Sequence, residues 1–398
     1  MDDLTPTGQA LSSFLRLCGT RVFEKRLAEL GRRTQSGALQ GRAAQQRHAL
    51  EFALARVADS CGSQRVGTAE RRIGDFARCV ATLAASLPPL ARRRLKDLVE
   101  AALDGEATLV PLFHLVRTAE LHKARGYSVR FCGLLDEAAH DITIARDGVE
   151  AEIACETISA EEGRPMHRGD WYALVDRINP ELQTWLAAHP GRYLLKMTLP
   201  EGVTSGEHLA ELHRRISDLL QAEKRQDHSE GAVLKLDPLV LAGAQATAPG
   251  LSAQLRAQFG REAHLAVTTG AEGRGVFVMA ARAGREDEVS AAVCRRMAIA
   301  APTRLSGRKP GILAMFLDDL DRAEWRALRT TLELEGAARR FLTDPSARPV
   351  VAITCASRME LYGLAEPDAA PGGELRFRNP LHPASKNAAL AAAVSSSL

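Results

Sequence analysis

Between Gly126 and Arg168 the spacing of apolar residues changes from helical to pleated. Just before it, Leu109, Leu112, Leu115, Val116, Ala119 and Leu121 recur three and four apart, which predicts a helix over Thr108–Arg125. Polar and apolar residues then alternate over Ser128–Cys132 and again over Asp141–Ala145, and Asp147-Gly148 supplies the turn of a hairpin. A third run, Val149–Ile158, alternates along its length. Glu150, Glu152, Ala154 and Glu156 share one face of the predicted strand, and Ala151, Ile153, Cys155 and Thr157 the other. A helix over Asp170–Ala188 and a strand over Tyr193–Leu199 follow. Three carboxylates on one face of a central strand call for a metal cation, basic partners or water, because burying them unpaired costs several kcal/mol per ion.

The same patterning divides the rest of the chain. Residues 1–104 read as helices throughout: Ser12–Leu30, Gly41–Asp59, Gly67–Ser86 and Pro89–Leu103, punctuated at Ser36-Gly37 and Ser60–Ser63. From Glu201 onward, strand patterns (Ala232–Leu236, Ala263–Val267, Val276–Ala281, Gly311–Leu317, Pro349–Cys355) alternate with helices (Gly206–Arg225, Glu286–Ala300, Ala323–Leu342). The stretch from Lys309 to Ser357 reads as a strand–helix–strand unit with a right-handed crossover. The expected organisation is a helical domain over 1–104, a core over 105–200, an α/β extension over 201–378 and a flexible Ala- and Ser-rich tail over 379–398.

Composition narrows the function classes. Seven cysteines stand singly with no CxxC pair, which argues against a zinc ribbon or a disulfide framework and suits a reducing, cytoplasmic setting. No apolar run reaches the length of a membrane span, so no membrane partner is expected. The net charge of +3 is too small to argue for nucleic acid, although residues 1–104 hold 17 Lys and Arg against 11 Asp and Glu. No HxxxH pair with an adjacent Glu, GxSxG elbow or dinucleotide fingerprint occurs. The turn over Thr268–Gly275 lacks the Lys-Ser/Thr of a phosphate loop and reads as a hairpin turn. Asp318, Asp319 and Asp321 follow a strand; Asp319 or Asp321 reads as a helix cap in preference to a metal ligand.

The order helix, three-strand meander, helix, strand, with Asp141 opening the second strand and acids along the third, resembles the PD-(D/E)xK nuclease superfamily over about Thr108–Leu199. Ala154-Cys155-Glu156-Thr157 lies where many members read Glu-Cys-Lys-Thr. The resemblance implies an α/β (α+β) fold, a restriction-endonuclease-like mixed sheet flanked by helices. It also implies a Mg²⁺ site at Asp141 with Glu152 or Glu156, these three acids being the catalytic set, and a basic loop in which Arg164, His167 and Arg168 hold phosphate. The departures are Ala154 at the acid position, Glu156 at the lysine position, and His114 or Leu115 where many members carry a first-helix Glu. They imply a degenerate, nucleic-acid-associated member. The alternatives are an active Mg²⁺-dependent nuclease using Asp141, Glu152 and Glu156, or a non-catalytic protein-interaction module, with a protein partner or homo-oligomer.

Overall fold

The computed structural model describes residues 6–34, 39–59, 67–203, 205–239, 255, 258–260, 263–270 and 275–397. The expected punctuation at Ser36-Gly37 and Ser60–Ser63 and the middle of the Thr268–Gly275 turn lie outside them. The fold is mixed α/β, with two mixed sheets, and the chain forms two compact units. The first comprises residues 1–33, 44–162 and 289–398; the second comprises 34–43 and 163–288.

In the first unit the strands are β1 (Ser128–Arg130), β2 (Ile142–Arg146) and β3 (Val149–Ser159). In the second they are β4 (Arg192–Leu199), β5 (Gln226–His228), β6 (Val233–Pro238), β7 (His264–Thr269) and β8 (Val276–Ala283). The first unit resumes with β9 (Gly311–Asp318), β10 (Val350–Ser357) and β11 (Leu375–Arg378). Its sheet runs β1-β2-β3-β9-β10-β11. The hairpin between β2 and β3 turns where expected: Asp147 (φ 51°) and Gly148 (φ 75°) both adopt positive φ, as a type I′ turn requires. β3 is central, antiparallel to β2 and parallel to β9. β9 and β10 are parallel neighbours, as the strand–helix–strand reading required.

The expected grouping of Thr108–Leu199 into one unit is corrected in its second half. The helix Arg168–Ala188 and β4 belong to the second unit, whose sheet runs β5-β6-β4-β8-β7. There Leu174, Ile178 and Leu182 of that helix bury with Leu212 and Ile216 of the Gly206–Gln221 helix against the sheet. Gly202 (φ 73°) allows the chain to pass Pro165, whose carbonyl oxygen would lie 1.9 Å from any Cβ there. The strand beside β3 is β9, preceded by the helix Val289–Arg304. Adjacency in sequence suggested the wrong partner, because the second unit is inserted between β3 and the helix that returns to it.

The residue 1–104 helices are likewise no separate domain. They share one apolar cluster with the sheet: Phe14, Leu54 and Phe76 bury in the same core as Ile142, Ile153, Ile312 and Phe316. The helix Val110–Ala124 makes this possible. It is buried on nearly all sides, with Leu112, Phe113, His114, Leu115, Val116 and Ala119 all buried, so it serves as the middle layer between lobe and sheet. The opposite face of the sheet is covered by Val289–Arg304, Arg322–Thr330 and Glu333–Leu342. Three expected helices are broken, the one over Gly41–Asp59 between Leu39–Arg47 and Ala49–Asp59. Gly19 (φ 79°) separates Pro6–Cys18 from Thr20–Thr34, and Leu332 (φ 61°) separates Arg322–Thr330 from Glu333–Leu342. Ser128–Cys132 is strand only to Arg130, after which Cys132–Asp136 is helical.

The tail is not loose. Leu390, Ala393 and Val394 are buried in the first unit's core, the Tyr127 hydroxyl donates to the carbonyl of Ala389 at 2.9 Å, and it accepts from the amide of Ala393 at 3.2 Å. Its alanines looked featureless because their role is to fit close against a sheet. Leu390→Ala is therefore expected to lower the unfolding free energy by about 2–4 kcal/mol in urea titrations. An unchanged midpoint and slope would show that the segment does not pack.

Candidate functional site

β3 carries its acids as the alternation predicted. Ala151 and Ile153 point into the core shared with the Val110–Ala124 helix, while Ala154 and Ile158 face the Val289–Arg304 side. Glu156 lies on the latter face, buried, and Asp141 sits immediately before β2, its amide bonded to the carbonyl of Ile153 at 3.0 Å. One guanidinium joins the two carboxylates. Arg304 donates from Nη2 to Asp141 Oδ2 at 2.7 Å, from Nη1 to Glu156 Oε1 at 2.5 Å, and from Nε to the carbonyl of Ala139 at 2.6 Å. Arg296 donates from Nε to the other oxygen of Glu156 at 2.9 Å. Arg296 and Arg304 are eight residues apart on one helix, two turns, and so share a face. Arg304 also ends that helix, where the carbonyl dipoles favour a cation.

The cluster of Asp141, Glu156, Arg296 and Arg304 is charge-balanced, two carboxylates against two guanidinium groups. Burial pushes the Asp141 carboxyl up from its ordinary value of 3.8, while Arg304 and the amide of Cys155, which donates to Oδ2 at 2.7 Å, pull it back. Burial and the nearby Asp141 push the Cys155 thiol well above its usual value. Asp141 and Arg304 also line an open cleft of about 440 Å³ with Arg94, Asp97, Leu98 and Leu115.

Glu152 takes no part in the clamp. Its carboxylate accepts from the amide and hydroxyl of Ser306 at 2.8 and 2.6 Å, and His140 Nδ1 is 3.9 Å away. Glu150 pairs at the surface with Lys309. His114 donates to the carbonyl of Ala314 in β9 at 2.8 Å, and burial pushes its pKa down to about 4, leaving it a neutral structural group. Of the aspartates after β9, Asp321 caps the Arg322–Thr330 helix by accepting from the amide of Glu324 at 2.9 Å, and Asp318 is forked by Arg358.

Arg164, His167 and Arg168 lie in the second unit. The Arg164 side chain is 1 % exposed and lies 3.7 Å from Asp287, while His167 is exposed, 3.9 Å from Asp170 at the start of the Arg168–Ala188 helix. The structure thus brings together Asp141 and Glu156 of the expected set, with Glu152 held apart by Ser306. Sequence reasoning missed Arg296, Arg304 and Ser306. The legible signal was the pair of arginines two turns apart on the helix before β9.

A divalent cation does not fit this arrangement. Among the described residues no group of three or more His, Cys, Asp or Glu side chains converges as ligands. The two acids that do approach each other already share Arg304, so a dication would meet a neutral set rather than an anionic one. No family model, curated protein or solved structure matches the chain.

Two outcomes follow. Arg304→Met should destabilise the fold by about 2–3 kcal/mol, less than the ~3–5 kcal/mol of a fully buried pair because the Arg304 side chain keeps 30 % of its surface exposed. Adding Asp141→Asn and Glu156→Gln should recover most of that loss in urea titrations; no loss in the single variant would mean that the acids are solvated. The second concerns pH. A carboxyl whose folded pKa is raised holds its proton more tightly in the native state, so its contribution is present below the unfolded value and is lost as pH rises through the folded value. The stability of the parent relative to Asp141→Asn should therefore fall as pH climbs upward from 3.8 and then level off. A difference that grows with pH would reverse the sign and exclude burial as the dominant influence on Asp141.

Proposed function

We propose that the first unit is a restriction-endonuclease-like domain with a degraded active site, nucleic-acid-associated and without measurable cleavage. The resemblance is supported by the arrangement of the helix Val110–Ala124, the meander β1–β3, the helix Val289–Arg304 and the parallel strand β9, with the second unit inserted after β3. The observation that carries the loss of cleavage is the Arg304 clamp, with its 2.7 and 2.5 Å bonds to Asp141 and Glu156. The two acids best placed to hold a cation are occupied by a cation of the chain itself, and Ala154 contributes no oxygen. Electrostatic stabilisation aimed at developing charge is usually the largest catalytic contribution, and a charge-neutral cluster supplies little of it.

Association with nucleic acid rests on the basic excess of residues 1–104, where Arg21, Lys25, Arg93 and Lys96 are exposed. Such residues would neutralise phosphates and release counterions without reading bases. A second reading, a Mg²⁺-dependent nuclease, is favoured by one feature: Asp141 and Arg304 border an open cleft, so the arginine has room to leave.

The test is incubation of the purified chain with labelled DNA and RNA in Mg²⁺ or Mn²⁺, alongside anisotropy titrations at increasing salt. Salt-sensitive binding without cleavage is expected. Cleavage that disappears in Asp141→Ala would restore the enzyme. Undetectable or salt-insensitive binding would remove nucleic acid and leave a protein-interaction module.

A further inference from the structure

The far edge of the first unit's sheet carries a second feature, unrelated to the clamp. β11 ends the strand order, so among the described residues one of its sides has no strand beside it. On that side the amides of Arg376 and Arg378 point outward. They donate to serine hydroxyls, Ser397 Oγ at 2.8 Å and Ser396 Oγ at 3.2 Å. One main-chain bond, from the Ser397 amide to the Arg376 carbonyl at 3.2 Å, completes the contact, and Arg376 Nε donates to the carbonyl of Ser395 at 2.9 Å. Side-chain hydroxyls thus stand where a neighbouring strand would present carbonyls.

Beside this edge runs a groove of about 710 Å³, the size of a site for several side chains. Its apolar wall includes Leu375 and Phe377 from β11 and two leucines with large exposed surfaces, Leu332 at 59 % and Leu381 at 79 %. Its charge is one-sided. Arg329, Arg339, Arg376 and Arg378 line it, with Glu335 the one acid among the described lining residues, and Arg339 already pairs Glu335 at 2.6 Å. Arg329 leaves its Nε buried without a hydrogen-bond partner among the described residues.

We propose that this edge and groove bind an extended peptide of alternating apolar and acidic residues, which adds to β11 as a further strand and displaces Ser396 and Ser397. Each observation assigns one part of the ligand. The outward amides and carbonyl of β11 pair with its main chain, the leucine-lined wall takes its apolar side chains, and the arginine excess takes its carboxylates. An edge held by two side-chain hydroxyls and one main-chain bond otherwise invites association of any strand, and the charge restricts the choice to an acidic one.

The experiment uses the full chain and a fluorescein-labelled peptide of alternating valine and glutamate, with anisotropy as readout. Saturable binding is expected, weaker by about tenfold or more in Arg378→Glu combined with Leu381→Asp, both exposed positions where folding is spared. Ser396→Ala with Ser397→Ala, which removes the hydroxyl acceptors, should tighten binding. A peptide N-methylated on the amides of one edge should bind only when the other edge faces β11, and methylation of both edges should abolish binding. Equal binding of a valine–lysine peptide, indifference to methylation of both edges, or no binding by the Ser396→Ala/Ser397→Ala chain would overturn the proposal. Concentration-dependent dimers broken by Leu381→Asp, with no peptide binding, would overturn it too and give the groove to a second copy.

Discussion

The parallel pairing of β3 with β9 is the constraint on which the first unit depends. It aligns Glu152 with Gly311 and Glu156 with Met315 across segments separated by the whole inserted unit. β3 is thereby hydrogen-bonded on both sides, one face turned to the Val110–Ala124 helix and the other to Val289–Arg304. Gly311 has no Cβ because there is no room for one: it would lie 2.9 Å from the carbonyl of Pro349 and 2.5 Å from Leu305. The insertion leaves and returns at nearly the same point, since the amide of Glu288 donates to the carbonyl of Gly163 at 2.7 Å. A folded unit whose ends meet can interrupt a βαβ connection without disturbing the sheet around it.

That pairing also decides the electrostatics. The helix that returns to the sheet brings Arg296 and Arg304 over the acidic face of β3, and the guanidinium fork of Arg304 matches two carboxylates and a carbonyl at once. The loop after it presents Ser306 to Glu152. Each acid on the buried part of the face therefore has its own partner. This is the ordinary requirement that buried charge be paired, and meeting it through arginine rather than through a metal changes what the site can do. A point-like dication would leave coordination positions open to water and phosphate; a planar guanidinium keeps N–H donors but has no Lewis-acid position at which to bind and activate water.

Much of the first unit's local structure was legible. Alternation in Val149–Ile158 predicted which side chains share a face, and Asp147-Gly148 predicted the hairpin, because both depend on a few consecutive residues. The helical spacing of residues 1–104 was equally readable, except at Gly19, where a single positive φ ends one helix and starts the next, and at His48, between Leu39–Arg47 and Ala49–Asp59. The candidate site was half legible. Asp141 and Glu156 stood out as acids near a strand, whereas Arg304 lies 148 residues beyond Glu156 and carries no local mark of its role. The Ala-rich end of the chain misled for a related reason: small residues have weak patterns, and Ala393 shows its purpose only beside Tyr127.

By itself the sequence determined the elements that neighbouring residues can specify: helix and strand periods, the β2–β3 turn, a helix cap at Asp319 or Asp321 and the sorting of acids to one face of β3. Tertiary structure alone decided which strand lies beside β3, which residues form the inserted unit, and which cation meets Asp141 and Glu156. The physical reason is range. Backbone propensity and side-chain alternation act over a few residues, but strand pairing and charge compensation are settled by whatever segment packs there, however distant along the chain.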